Sequence, residues 1–370
     1  MRIACVGFGR RSLRSRSTSL GFLLIALAMS GSLLRTAADE IPLPHPGSWR
    51  REATLRDVTF VNALQGWACG DRGTLLRTDD GGQNWLVVPT SVDCRLDSIS
   101  FVDDRHGWAV GGFEAAGSER RIGVVVATED GGRTWHRLPN TGVPWLHRVR
   151  FADRRNGFAL GEVSARQRSG MFITRDGGQN WVALTGFAPQ GWLDGDTSDR
   201  ATFAVVGARG GMFRFEGDRF EPAPALDGLV PRLKRVRFSA SGIGWAIGER
   251  GLVYRSHDQG RSWRSALDRS YLPGIEQVEW TALAVLDDQV WIGGFPAGLA
   301  LHSPDAGATW NVMRTGLEGE INSLHFIDGR VGWAVGSMGR IATTADGGAS
   351  WTIQRNGLIR PFLTLSLIHI

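Results

Sequence analysis

The chain has 370 residues, among them 50 glycines, 15 tryptophans and only 2 tyrosines, and its formal net charge is +5. Six arginines and no acidic residue lie within residues 1–38, so the rest of the chain is nearly neutral, which argues against a nucleic-acid-binding protein. This length suits one large all-β domain, and abundant glycine without a collagen period indicates many tight turns.

The N-terminal segment is typical of an export signal. An arginine-rich start precedes the apolar run from Leu20 to Met29, and the small residues Thr36, Ala37 and Ala38 follow it. The apolar run is shorter than a membrane-spanning helix requires. We therefore predict a signal peptide over residues 1–38 and a periplasmic or extracellular location.

Two cysteines, Cys69 and Cys94, follow this segment. In an oxidising compartment they can form a disulfide, and two small buried thiols are an equally good interpretation. The sequence leaves both states open.

A five-residue module, Gly-aromatic-Ala-x-Gly, recurs along the chain about every 41 to 50 residues. Its clear copies begin at Gly66, Gly107, Gly157, Gly244 and Gly332, and looser copies surround Phe203 and Trp291. Seven units of this length, each able to supply four short strands, predict an all-β, seven-bladed β-propeller of four-stranded antiparallel blades. One such sheet cannot bury both of its faces without neighbours, so the seven units must pack together in one domain. We place this domain at residues 45–355.

The first unit illustrates the expected strand order. An apolar-x-Phe pattern ending at Phe60 predicts strand A, Trp67 lies on strand B, residues 73–77 form strand C, and residues 85–88 form strand D. In the degenerate fourth unit, Asp194-x-Asp196-x-Ser198 resembles the start of a calcium-binding loop. It lacks the glycine and the later glutamate of such a loop, so we predict an A–B turn there.

A second module, Ser/Thr-x-Asp-x-Gly-x-x-Trp, follows six of the seven units. We expect this Asp-box at the C–D turns, with its hydroxyl and carboxylate bonded to turn amides and its tryptophan packed over the turn. Because the box recurs in almost every unit, a structural role is favoured over catalysis or metal binding. The residues assigned to this role are Asp80, Asp130, Asp176, Asp258, Asp305, Asp346, Trp85, Trp135, Trp181, Trp263, Trp310 and Trp351.

These modules together resemble the photosystem II stability/assembly factor family, most clearly from Gly66 to Trp85 and from Gly332 to Trp351. The resemblance covers about residues 49–355 and rests on the repeats. It implies a non-enzymatic, chaperone-like protein that docks a membrane-protein client through an arginine-rich surface. We further expect a monomer without a cofactor and a client with acidic segments. Peripheral contact with a membrane is compatible with this role, and the thylakoid lumen is the expected location only in a phototrophic host.

Basic residues mark a candidate client-binding surface. In propellers the B–C and D–A loops share the face opposite the C–D turns, so the B–C insertions 112–121 and 162–170 and the starts of strands A should lie together. Arginine suits bidentate contacts to carboxylates, which predicts an anion- or acidic-peptide-binding surface. The alternative is solvated arginine, partly paired with Glu114, Glu119 and Glu162. The predicted binding residues are Arg120, Arg121, Arg148, Arg150, Arg166, Arg168, Arg232, Lys234, Arg235 and Arg237.

Two other functions remain open from the sequence. Sialidases also use Asp-box propellers, but such a glycoside hydrolase needs an activated tyrosine, and only Tyr254 and Tyr271 are present. The chain is also compatible with a carbohydrate- or peptide-binding module of a longer protein.

We expect residues 356–370 to be a truncated tail, whose last six residues resemble a translated sequencing adapter. No histidine pair has zinc-ligand spacing, so no metal is expected.

Overall fold

The computed structural model describes residues 53–354 except 118–119, 140, 165–167, 185–190, 198–201, 208–210, 217–218, 224–231, 269–271 and 297. The predicted signal peptide, the tail, Arg166 and Tyr271 lie outside the described residues.

Seven four-stranded antiparallel sheets, each made of consecutive strands, confirm the predicted seven-bladed propeller. Blade 1 contains β1 (Leu55–Phe60), β2 (Gly66–Gly70), β3 (Leu75–Thr78) and β4 (Leu86–Val88), and blade 2 contains β5 (Arg95–Phe101), β6 (Gly107–Glu114), β7 (Arg121–Thr128) and β8 (His136–Arg137). Blade 3 contains β9 (Leu146–Phe151), β10 (Gly157–Gly161), β11 (Met171–Thr174) and β12 (Val182–Ala183), and blade 4 contains β13 (Trp192–Thr197), β14 (Thr202–Gly207), β15 (Met212–Glu216) and β16 (Arg219–Pro222). Blades 5 to 7 contain β17 (Leu233–Phe238), β18 (Gly244–Gly248), β19 (Val253–Ser256), β20 (Arg264–Ser265); β21 (Glu279–Leu286), β22 (Gln289–Phe295), β23 (Leu299–Ser303), β24 (Asn311–Arg314); and β25 (Ile321–Phe326), β26 (Gly332–Gly336), β27 (Ile341–Thr344), β28 (Thr352–Ile353). Short 3-10 turns occur at Asp71–Gly73, Ile275–Gln277 and Ser337–Gly339.

The fourth blade corrects one sequence prediction. Asp194 and Asp196 lie within the inner strand β13 and not in an A–B turn. They pair with Val206 and Ala204 of β14. The fourth unit lacks a clear first module, so the sequence offered no anchor from which to count back to its inner strand.

Each inner strand carries a one-residue bulge near its start, which the sequence analysis did not anticipate. In β1, for example, Leu55 pairs with Gly70 and Asp57 with Cys69, so Arg56 is the extra residue. Bulges re-aim side chains and break the regular alternation. The bulge residues are Arg56, Asp97, His147, Leu193, Lys234, Thr281 and Asn322.

Neighbouring blades are joined by a repeated aromatic contact. Trp67 of blade 1 stacks on Phe101 of blade 2 with ring centroids 3.6 Å apart, and its indole N–H donates to the Gly131 carbonyl at 2.9 Å. Trp108 and Trp291 make the equivalent pair of contacts to their next blades. The first module therefore provides the packing between blades.

The same contact closes the ring. Trp333 of blade 7 stacks on Phe60 of blade 1 at 3.5 Å and donates to the Gly81 carbonyl at 2.9 Å. Asn322 Nδ2 also donates to the Leu55 carbonyl at 2.7 Å. Because blades 1 and 7 each consist of four consecutive strands, the described part of the chain closes without exchanging a strand.

The Asp-boxes lie between the third and fourth strands of their blades and bond their own turns. Thr78 Oγ1 donates to Asp80 Oδ1 at 2.8 Å and accepts from the Gly82 amide at 2.9 Å. Asp80 in turn accepts from the Asn84 amide at 2.9 Å. The same bonds recur in the boxes of Asp130, Asp176, Asp258, Asp305 and Asp346.

We expect Asp80→Ala to lower the free energy of unfolding by about 1–2 kcal/mol, because several turn hydrogen bonds are lost together. Urea unfolding measures this change, and the slope with denaturant should stay constant. Asp93→Ala is the matched control, since Asp93 is exposed and outside any box. Equal stability of the two variants would contradict a structural role for the box carboxylate.

Candidate partner-binding site at the channel mouth

The two faces of the propeller are defined by loop contacts. On one face, Asp-box amides donate to A–B turns, as Gly81 does to the Leu64 carbonyl at 2.9 Å. On the other face, B–C loops and the starts of strands C donate to the segments that precede the next strand A. Gly251 of a B–C loop donates to the Val278 carbonyl at 2.7 Å, and Gly123, near the start of β7, donates to the Val143 carbonyl at 3.0 Å. The Asp-boxes and the starts of the inner strands therefore lie on opposite faces.

A cavity of about 170 Å³ opens where the inner strands begin. All seven bulge residues line it, together with Arg95, Arg232, Arg235 and Glu320, and we call this set the channel mouth. Arg56, Arg95, Arg232, Lys234 and Arg235 give it five cationic side chains. Only Asp97 and Glu320 among the lining residues carry carboxylates, so the mouth favours an anionic ligand.

Most cations at the mouth have exposed, peripheral partners. Arg56 pairs with Asp71 at 3.0 Å and Lys234 with Glu279 at 2.7 Å. Arg232 is 3.9 Å from Glu249, with half of its side chain (49%) exposed. Exposed ion pairs contribute about 0–1 kcal/mol each, so a ligand carboxylate can replace such a partner at little cost.

Arg235 differs because its acceptors are neutral. Its guanidinium donates to the Lys234 carbonyl at 3.0 Å and to the Asn322 carbonyl at 3.3 Å. Burial and the nearby Arg148 guanidinium lower the pKa of Arg235 to about 10, so it remains charged at neutral pH. A cation that lines the cavity with only carbonyl acceptors is well placed to bind a carboxylate.

Arg148 lies below the mouth and is not available to a partner. It is 2% exposed and spans the channel, with Nη1 2.9 Å from Asp57 in blade 1 and Nε 2.7 Å from Asp194 in blade 4. Arg237 adds a 2.6 Å contact to Asp194. We call Asp57, Arg148, Asp194 and Arg237 the hub network. The expectation that Arg148 is accessible is wrong, because two buried carboxylates occupy its guanidinium.

The charges of the hub network stabilise one another. Burial is the largest single influence on the pKa values of Asp57 and Asp194 and would raise both. The Arg148 guanidinium, together with neighbouring arginines and, at Asp57, hydrogen-bond donors, outweighs burial and holds both pKa values below their ordinary range. Burial likewise opposes the charge of Arg148, whereas Asp194 and Asp57 raise its pKa. Asp57 also accepts from Ser98 Oγ at 3.0 Å and Ser323 Oγ at 2.8 Å, so blades 1, 2, 3, 4, 5 and 7 meet in this cluster.

Comparison with known proteins decides the family. The model of the photosynthesis system II assembly factor YCF48 family matches residues 48–214 and 228–357. The chain belongs to this family. The photosystem II assembly protein Ycf48 of Thermosynechococcus vestitus is 28% identical over 306 residues, which cover 79% of this chain and 81% of that protein. The photosystem II assembly lipoprotein Ycf48 of Trichormus variabilis is 29% identical over 303 residues, which cover 78% and 82%.

Solved structures share the fold of this YCF48-family chain. One described as YCF48 bound to D1 peptide aligns with a TM-score of 0.63 at 24% identity and covers 80% of this chain and 94% of that chain. The GH74 xyloglucanase of Xanthomonas campestris aligns with a TM-score of 0.64 at 14% identity and covers 82% and 55%. The glycoside hydrolase is therefore a relative in fold alone, and the prediction of a non-enzymatic protein is confirmed by the assembly proteins of the family.

In the described part of this YCF48-family propeller, the side chains that a hydrolase or a metal site would use are either buried in the core or not grouped together. Tyr254 is fully buried on β19, in the core between blades 4 and 5, where no substrate reaches it. Within the described ranges no group of three His, Cys, Asp or Glu side chains is arranged to hold a metal ion.

Cys69 and Cys94 are buried free thiols, which decides between the two states that the sequence left open. No helix in the described part of the chain has the length and apolar character needed to span a membrane.

The other predicted binding residues divide between the mouth and its surroundings. Arg120, Arg121 and Arg168 are exposed on the B–C insertions, and Arg121 pairs with Glu114 and Glu162, as the solvated alternative expected. The guanidinium groups of Arg95 and Arg121 lie over Trp145, 5.6 and 6.0 Å from its ring centroid. This aromatic side chain connects the mouth with the insertions of blades 2 and 3. Arg150 and Arg237 lie deeper, whereas Arg232, Lys234 and Arg235 line the mouth.

Sequence reasoning missed Arg56, Arg95 and His147 at the mouth. A signal was present, because Arg56 precedes Phe60 by the same four residues that separate Lys234 from Phe238. Arg95 is likewise equivalent to Arg232, since each lies two residues before a bulge. Alignment of the inner strands on their phenylalanines would therefore have identified both positions.

Proposed function

We propose that the chain is an exported, non-enzymatic assembly factor that holds an acidic segment of a protein client at the channel mouth. The observation that carries this proposal is the cavity lined by five cationic side chains, of which Arg235 has only carbonyl acceptors among the described residues. A carboxylate side chain or a free chain terminus is small enough to enter a space of about 170 Å³.

The family supports a protein client. A solved relative is described as bound to a D1 peptide, and several curated relatives are photosystem II assembly lipoproteins. In a phototrophic host we propose a photosystem II subunit as the client, bound on the lumenal side of the membrane. In another host the same mouth would hold an acidic segment of a different membrane or periplasmic protein.

The surroundings of the mouth extend the proposed surface. Trp145 and the exposed Arg120, Arg121 and Arg168 continue it outward over blades 2 and 3. An extended client segment would then place one carboxylate in the mouth and further acidic side chains along these insertions. The opposite face, with its Asp-boxes, stays free, and the chain acts as a monomer.

The test is a charge reversal at the mouth, Arg232→Glu with Lys234→Glu. The probe is a synthetic peptide with several Asp and Glu residues and a free C-terminal carboxylate, and its affinity is measured by fluorescence anisotropy. We expect at least tenfold weaker binding, a loss of about 1.4 kcal/mol or more, because attraction becomes repulsion at the cavity wall. Binding to the unaltered protein should also weaken with added salt, since the Debye length is about 10 Å at 0.1 M.

The matched control is Arg105→Glu with Arg330→Glu, which makes the same change in net charge on the Asp-box face. Both residues are exposed there, on A–B turns. The control should retain affinity, and both double variants should keep the melting temperature of the unaltered protein. Full affinity of the mouth variant, or equal binding of an amidated Asn/Gln version of the peptide, would contradict the proposal.

A further inference from the structure

The channel below the mouth is lined by two positions from every inner strand. Side chains alternate along a strand, so Val149 and Phe151 pack between blades while Arg148 and Arg150 project toward the channel. The register of the seven inner strands defines an upper layer, Asp57, Ser98, Arg148, Asp194, Arg235, Ala282 and Ser323. It also defines a lower layer, Thr59, Ser100, Arg150, Asp196, Arg237, Ala284 and His325.

Positive charge exceeds negative charge in these two layers. They contain four arginines and three aspartates. Burial and the Arg150 charge lower the pKa of His325 to about 4, so this imidazole is neutral and does not change the balance at neutral pH. Burial also raises the pKa of Asp196 above its ordinary value.

Arg150 forms no ion pair within the described residues. The carboxylates of Asp57 and Asp194 are engaged by Arg148, Arg237 and backbone or hydroxyl donors. No acceptor in the described part of the chain lies within hydrogen-bonding distance of the Arg150 guanidinium. The charges of Arg237 and Arg148 repel it, and the weaker influence of Asp57 and Asp196 does not offset them. Burial and these two cations together lower its pKa to about 10, so it stays charged at neutral pH.

Several side chains of the lower layer are short. Thr59, Ser100 and Ala284 present short side chains at the same height as Arg150. Arg150 is partly exposed within the channel, so a small solute can reach its guanidinium. A charged group removed from bulk water without a counter-charge is costly, and a bound anion removes that cost.

We propose that a small inorganic anion of about the size of chloride binds in the lower channel layer beside Arg150 and Arg237. This ion would complete the charge balance of the propeller centre. The site is distinct from the channel mouth, because none of the lower-layer residues lines the mouth cavity, and it does not depend on the proposed client. A lone water molecule at Arg150 is the competing occupant.

The first measurement is thermal unfolding in sodium chloride and in sodium gluconate at equal ionic strength. A ligand that binds only the folded state raises the melting temperature with its concentration. We expect a saturable rise in chloride and none in gluconate, which is too large to enter. Arg150→Gln should abolish the chloride response, Arg150→Lys should retain part of it, and the exposed-site control Arg168→Gln should respond fully. If Arg150→Gln does not fold, the Lys variant and the unaltered protein still provide the comparison.

The second measurement is anomalous diffraction from crystals grown in bromide. A peak beside Arg150, together with the chloride response in solution, is the expected result. Any one of three outcomes would overturn the proposal: equal melting temperatures in chloride and gluconate, an undiminished response in a folded Arg150→Gln variant, or a bromide peak without an effect in solution. The last outcome would mean binding at crystal concentration only.

Discussion

Replacing Arg148 with methionine should lower the free energy of unfolding by about 3–5 kcal/mol. Methionine keeps most of the side-chain length but removes the guanidinium that spans the channel from Asp57 to Asp194. Both carboxylates then remain buried with less compensation, in a cluster that joins most of the blades. Urea unfolding measures the loss, with Arg121→Met as the control. Arg121 is itself exposed, and its partners Glu114 and Glu162 have side chains that are 63% and 22% exposed. Its replacement should therefore cost less than about 1 kcal/mol.

The pH dependence of this variant supplies a second readout. In the unaltered protein the pKa values of Asp57 and Asp194 are lowered, so their contribution to stability is present above about pH 4 and is lost as the pH falls below it. In Arg148→Met the same carboxyl groups are buried without their main counter-charge, and their pKa values should rise. Protonation then relieves the penalty, so the stability difference between the two proteins should shrink on acidification. If Arg148→Met loses no more stability at neutral pH than Arg121→Met does, the structural role of the hub network is refuted.

Replacing Trp333 with alanine should cost about 3–5 kcal/mol, the usual range for truncating a buried tryptophan. Trp333 is fully buried between the last and first blades, where it stacks on Phe60 and donates to the Gly81 carbonyl. Its loss leaves a cavity at the contact between the first and the last blade. Chemical denaturation measures the effect.

The matched comparison is Trp67→Ala, because Trp67 makes the same stacking and hydrogen bond between blades 1 and 2. We expect the two variants to lose similar stability, since the ring is closed by the same contact that joins its other blades. A much smaller loss in Trp333→Ala than in Trp67→Ala would show that the seam does not depend on this tryptophan.

The architecture could be predicted because its signals are local and repeated. Gly66-Trp67, the apolar pattern ending at Phe60 and the box from Thr78 to Trp85 each specify a strand or a turn within one unit. Seven copies of a sheet that cannot bury both faces alone leave a closed ring as the stable arrangement. The same logic assigned the Asp-boxes and the starts of the inner strands to opposite faces. It failed in the fourth unit, where the weak first module hid the strand that carries Asp194, and it did not predict the bulges of the inner strands.

Only the tertiary structure determines which arginines are neutralised by carboxylates and which remain accessible. Arg148 and Arg235 occupy equivalent positions in sequence, three residues before Phe151 and Phe238. Arg148 is neutralised by Asp57 and Asp194, which lie 91 and 46 residues away in the chain, whereas Arg235 donates to two carbonyl groups and faces the mouth. The energy of a charge depends on the oxygens that surround it in space, and in a ring of blades those oxygens come from distant units. A repeated sequence therefore determines where each side chain is placed, and the assembled ring decides which of them remain accessible to bind.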